Sequence, residues 1–215
     1  DTATGAAKKM GVRVRMTEGN TCYRGGKPGV SDVFGAALWS ADYALTLARN
    51  NYSGLNLHGG TGKSVANSVG GFLPGDVMLK EDGKTPEEIA SHPHPFYTPI
   101  ATFGERYMME PVAYGLKFAG SFAGAKLTDP NFASALEGSG VPAPTSAAKL
   151  ADGRKSVIVL NKDLEKDVTV ALDFGNAQRG HVHVENLHAP AVDSREAHIS
   201  AAEHGGRLKD GVLTI

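Results

Sequence analysis

Between Gly11 and His58 the chain carries a strand, a long helix and a second strand in direct succession, an order that narrows the fold more than any other property. Val12, Val14 and Met16 alternate with Arg13, Arg15 and Thr17, the period of two expected when one face of a strand meets a core. Glu18 to Gly29 is turn chemistry throughout. Ser31 or Asp32 is placed to cap a helix whose apolar face is Phe34, Ala37, Leu38, Ala41, Leu45 and Ala48, ended by Asn50 and Asn51. Leu55 and Leu57 lie on a second strand, Tyr52 to His58, that runs into Gly59 and Gly60. Strands joined through a helix are expected to pair in parallel, which points to the α/β class.

The segment from Thr61 to Pro99 shows no sustained period and is punctuated by proline, with a short helix expected at Thr85. A further helix is expected on the stripe Met108, Val112, Leu116 and Ala119, with Pro111 either starting or kinking it. Beyond about residue 120 the texture changes. Gly138 to Pro144 reads as loop, and strands are expected at Ser156–Leu160, Val168–Phe174, His181–Leu187 and Val212–Ile215, a spacing that suits an antiparallel β-sandwich. The expected organisation is an α/β part over residues 1–127 followed by an all-β domain over 128–215.

Charge excludes some functions. Lys and Arg number 22 against 23 Asp and Glu, a net of -1, so bulk basic charge does not recruit nucleic acid. No run approaches the roughly 18 to 20 apolar residues of a membrane span. Cys22 is the single cysteine, which excludes an intrachain disulfide framework. The 27 glycines exceed the roughly 15 of average usage, so tight turns and close backbone approaches are expected.

Glu18 is the first candidate for chemistry. It closes a strand at what would be the carboxyl edge of a parallel sheet, where α/β barrels carry catalytic groups, and a carboxylate there can act as nucleophile, base or metal ligand. The bland alternative is an acid bonding its own turn. Gly59-Gly60-Thr61-Gly62-Lys63-Ser64 imitates a phosphate loop, but Leu57 stands where the pattern needs its first glycine. His92 with His94, and His181 with His183, are metal-like pairs without a third ligand. Trp39 reads as packing. Tyr23 lies in the loop after Glu18, where a phenol can hold the carboxylate or a ligand.

The run from Arg15 through Thr17-Glu18-Gly19-Asn20 and Tyr23-Arg24-Gly25-Gly26 to Gly29-Val30-Ser31-Asp32 resembles glycoside hydrolase family 79, the family of heparanase and bacterial β-glucuronidases. The resemblance continues through Phe34 to Trp39 and Asp42, through Leu55-Asn56-Leu57-His58-Gly59-Gly60, and at Phe96-Tyr97-Thr98-Pro99-Ile100-Ala101. It covers residues 10 to about 127; the β-rich remainder is similar to the family's sandwich in position and texture only. Between the blocks, Thr61 to Pro95 is longer than the family's usual loop.

The resemblance implies the C-terminal part of a (β/α)8 TIM barrel, strands seven and eight with their helices, followed by the sandwich. It implies retaining hydrolysis of β-linked glucuronic acid with Glu18 as nucleophile, and Tyr23, Gly25 and Tyr97 holding the substrate carboxylate. Retention needs a second acid roughly 5 to 5.5 Å away. The family carries it after an Asn at the end of strand four, which is expected upstream of this chain. No metal or organic cofactor is implied. The implied partners are a glucuronic-acid-containing oligosaccharide or polysaccharide and the remainder of the barrel, in an extracellular or periplasmic setting. A complete barrel of about 250 residues with a sandwich of about 100 exceeds 215, so a fragment or processed chain is expected. An endo-acting heparanase-like activity, a silent carbohydrate-binding module and a nucleotide binder remain as alternatives.

Overall fold

The computed structural model describes residues 2–22, 25–59, 95–103, 106–128, 145–165, 167, 169–173, 181–202, 207–209 and 212–214. The chain divides into two units. The first is Asp1–Phe118 with Ala189–Ala197; the second is Ala119–His188 with His198–Ile215.

The first unit begins with a helix that the sequence reading did not anticipate, α1 (Thr2–Met10). Gly11, at φ 67°, ends it: its N–H donates to Lys8 and that of Val12 to Ala7, the paired bonds of a Schellman motif. That use of the Val12 amide has a consequence. The first strand, β1, spans Val14–Gly19 rather than starting at Val12, which is 53% exposed.

Helix α2 (Phe34–Arg49) follows, and β2 (Tyr52–Leu57) then pairs with β1 in parallel, as the strand–helix–strand order predicts. The capping expectation is corrected. Val33, in extended conformation, is the N-cap, and no side chain caps the helix. Ser31 Oγ and Asp32 Oδ1 are occupied by the amides of Lys27 and Gly29. The first α2 amides find partners elsewhere: Phe34 donates to the Ser194 carbonyl (2.7 Å) and Gly35 to Val192 (2.8 Å). Backbone from Ala189–Ala197 thus does what a capping side chain usually does. At the other end, Asn51 adopts φ 61°, a left-handed turn that asparagine tolerates.

The hairpin β3 (Ile100–Phe103) and β4 (Arg106–Met109) precedes α3 (Pro111–Ala119). Met108 therefore lies on a strand and not on the helical stripe. The reason is Pro111, which starts α3 at its first position and pushes the preceding residue out of helical conformation. Helices α2 and α3 cross at a small-residue contact. Ala37, Ser40, Ala41 and Val112 are fully buried, and the Ser40 hydroxyl lies 2.8 Å from the Val112 carbonyl and 3.0 Å from that of Ala37. A Cβ on Gly115 would fall on the Ala37 carbonyl oxygen and Ser40 Oγ.

The second unit holds short antiparallel strands: β5 (Lys126–Thr128), β6 (Thr145–Lys149), β7 (Lys155–Val159), β8 (Ala171–Asp173), β9 (Glu185–His188), β10 (His198–Ala201), β11 (Arg207–Lys209) and β12 (Val212–Thr214). They form sheets in the orders β5-β6-β7, β11-β12-β8 and β10-β9. Val170, Leu172 and Leu213 make a buried cluster on which Val157, Val159 and Val182 pack. The expected strand over His181–Leu187 starts only at Glu185. His181 and His183 are exposed and Val182 half-buried, as alternation predicts, but this stretch forms no ladder among the described residues. The expected helix at Thr85, the loop at Gly138–Pro144 and both His92 and His94 lie outside the described residues.

Backbone meets backbone at Gly115, so Gly115→Ala should destabilise the protein by about 3 kcal/mol despite the better helix propensity of alanine. Gly120→Ala, where an added Cβ meets nothing within 4 Å, should stay within about 0.5 kcal/mol of the parent. Urea unfolding of the two variants checks the contrast.

Candidate functional site

The candidate site is assembled at the carboxyl ends of β1 and β2. Regular alternation from Val14 and Met16 would turn the side chain of residue 18 to the same face as theirs. The ladder is not regular: Val14 pairs with Tyr52, Met16 with Leu55 and Gly19 with Leu57. In the last interval three steps on β1 match two on β2, so β1 carries an extra residue at Thr17–Glu18. Both residues are exposed, while Gly19 returns to the half-buried phase. This shift re-aims Glu18 outward at the strand end, a use of bulges common beside active sites. Gly19 itself faces Tyr43 of α2, whose phenol oxygen would lie 2.9 Å from an added Cβ.

Asn20 ties the loop to both neighbouring segments. Its Nδ2 donates to the carbonyls of His58 (2.6 Å) and Tyr97 (3.2 Å), while its Oδ1 accepts the Thr21 amide (2.8 Å). Thr21 Oγ1 donates to Ser31 Oγ (2.8 Å), which also accepts the Lys27 amide (2.9 Å). Asp32 is nearly buried. One of its oxygens accepts the Gly29 amide (2.6 Å) and the other Arg195 Nε (3.0 Å), charge-assisted bonds that brace the loop from both ends. Gly25 and Gly26 adopt φ 90° and Gly29 φ 71°. At Gly26 a Cβ would also lie 2.9 Å from the Tyr97 amide nitrogen, so glycine is required there by space as well as by conformation.

That close approach seats Tyr97, which is 4% exposed. Its amide lies 3.4 Å from the Gly25 carbonyl, and the Gly25 amide hydrogen-bonds its phenol oxygen. The same oxygen is 2.5 Å from His58 Nδ1, with the two rings edge to face. Burial raises the phenol's pKa above 10.0; the Gly25 amide works against this, and the negative charge of Glu18 adds to it. Tyr97 is thus a neutral phenol at physiological pH within electrostatic reach of Glu18.

Of the residues singled out from sequence, Glu18, Gly25 and Tyr97 are brought to one edge, and Tyr23 lies outside the described residues. His58, Asn20, Ser31 and Asp32 were not singled out as site residues. His58 had a legible signal, since it directly follows the second parallel strand. The bonds of Asn20, Ser31 and Asp32 depend on loop folding that no periodicity encodes. Beside the loop, a cavity of about 360 Å³ is walled by Thr21, Val30, Val33, Trp39 and Val192. Trp39 stacks on Tyr43 with ring centroids 4.8 Å apart. Among the described residues no three His, Cys, Asp or Glu side chains converge as a metal site, and no helix is long and apolar enough to cross a membrane. The edge offers a carboxylate, an amide, a phenol and an imidazole: a nucleophile or base beside hydrogen-bonding groups. No protein-family model matches the chain, and no curated protein matches it.

Because its folded-state pKa is raised, the contribution of Tyr97 to stability is present below pH 10 and lost as pH rises through the folded value. Tyr43 is also raised, by burial and then by Tyr52. Alkaline titration of the six tyrosines at 295 nm should therefore show late-ionising phenols, and Tyr97→Phe should remove one of them and flatten the alkaline loss of stability.

Proposed function

We propose that this chain is the C-terminal portion of a retaining β-glucuronidase similar to glycoside hydrolase family 79, with its first unit contributing the last two strands of a (β/α)8 barrel. The observation that carries the reading is the meeting of Gly25 and Tyr97 at one hydrogen-bonded point within electrostatic reach of Glu18. These are residues that the sequence resemblance assigns, from separate blocks, to one substrate. The parallel pairing of β1 and β2 and the outward turn of Glu18 at their carboxyl edge also support it.

In this reading the Glu18 carboxylate attacks the anomeric carbon of a β-glucuronide. The bond to the leaving oxygen breaks as a second carboxylic acid, taken from an upstream barrel strand, protonates that oxygen. The resulting glucuronyl ester of Glu18 is then cleaved by water, whose proton returns to the second acid. Tyr23, Gly25 and Tyr97 hold the uronate carboxylate, and a glucoside lacking that acceptor leaves the donors unpaired. Apolar side chains exposed on the first unit agree with further barrel strands packing against it: Met10 at 74%, Tyr107 at 76%, Ile100 at 56% and Met108 at 54%.

A mechanism-based covalent glucuronide probe, applied to the protein with its upstream barrel segment, should label Glu18 when the adduct is mapped by peptide mass spectrometry. Labelling elsewhere overturns the assignment. Glu18→Gln should lower kcat by on the order of 10⁴-fold or more while leaving the affinity for glucuronic acid within a few-fold.

A further inference from the structure

The contact between His58 and Tyr97 restricts what the phenol can do. The phenol oxygen already accepts the Gly25 amide, and His58 Nδ1 lies 2.5 Å away on its other side. A contact this short between two such groups holds one proton. With the phenol as donor, Tyr97 gives its proton to a neutral Nδ1 and His58 is the Nε2–H tautomer. When the imidazole is charged, Nδ1–H donates to the phenol oxygen and the phenolic proton is free to turn toward another acceptor. Neither ring can withdraw easily from the contact. Asn20 bonds the carbonyls of both residues, and the Gly26 backbone closes against the Tyr97 amide.

We infer that His58 is a positioning residue that sets the direction of the Tyr97 proton, so that an anionic ligand bound at Tyr97 takes up a proton at His58. This rests on the proposed function, which supplies a uronate carboxylate as the anion. An anion can accept from Tyr97 only once the phenol's proton leaves Nδ1. Protonation of His58 releases it and adds a positive charge beside the incoming carboxylate. Among the described residues, the charged group whose field reaches the phenol is Glu18, from β1. A bound carboxylate would also bring a second negative charge near Glu18, which makes Glu18 the competing destination for the proton.

The test is isothermal titration of glucuronic acid into the full-length protein, in buffers of different ionisation enthalpy at pH about 7.5, where the ligand is fully ionised. We expect proton uptake on binding, read as a heat that depends on the buffer, and an association constant that falls as pH rises. In Tyr97→Phe, which keeps the ring and its packing, both effects should vanish. Independently of any ligand, long-range ¹H–¹⁵N spectra of the parent protein should read His58 as the Nε2–H tautomer; an Nδ1–H neutral ring overturns the inference. Binding with no buffer dependence overturns it and leaves the proposed function standing. Proton uptake that persists in Tyr97→Phe overturns it, because the uptake then does not pass through the phenol. Failure of glucuronic acid to bind at millimolar concentration overturns the proposed function, and this inference with it.

Discussion

The parallel ladder between β1 and β2, with the second of its two register shifts at Thr17–Glu18, is the constraint on which the candidate site depends. Continuous hydrogen bonding requires successive side chains to alternate, so a regular ladder would have sent Glu18 toward the face of Val14 and Met16. One extra residue on β1 reverses that phase within a single step. Beyond the shift, the His58 amide donates to the Gly19 carbonyl, so the strands stay in contact to their ends and His58 is carried to the same edge as Glu18. The irregular pairing thus leaves a strand residue as an exposed carboxylate and brings a histidine beside its loop.

Two kinds of constraint then hold the loop that follows. Asn20 spends its amide on carbonyls from two other segments, so β1, the end of β2 and the Tyr97 segment share one side chain. Glycine supplies the second. With φ near 90° at Gly25 and Gly26, the backbone turns where residues with a Cβ are strained, and at Gly26 the absent Cβ is the space occupied by the Tyr97 amide. Neither device adds apolar burial. They work by removing alternatives, which a site needs if a phenol and an imidazole are to share one proton.

Much of the first unit was legible. Alternation at Val14 and Met16, the helical stripe from Phe34 to Ala48 and the return through Leu55 and Leu57 are local signals read with fixed periods, and their order implies parallel pairing. The misreadings have local causes that pattern alone does not weigh. Val12 falls outside its strand because its amide closes α1. Met108 falls outside its helix because Pro111 resets the backbone before it. Ser31 and Asp32 have the composition of helix caps, yet their oxygens are taken by the loop amides of Lys27 and Gly29, while carbonyls of Val192 and Ser194 serve α2. In the second unit the strands are short and several had no clear alternation, so fewer of them could be read in advance.

Sequence by itself determined the order of elements in the first unit, the position of Glu18 near a strand end and the glycine-rich loop after it. These follow from side-chain period and from backbone freedom, which belong to neighbouring residues. Tertiary structure alone decided that Glu18 points outward, that Tyr97 is buried against Gly25 and bonded to His58, and that Arg195 braces Asp32. Each of these depends on contacts between residues far apart in the chain. A ladder can slip by one residue without changing either strand's composition, and a hydrogen bond is satisfied by whichever donor the fold brings within reach.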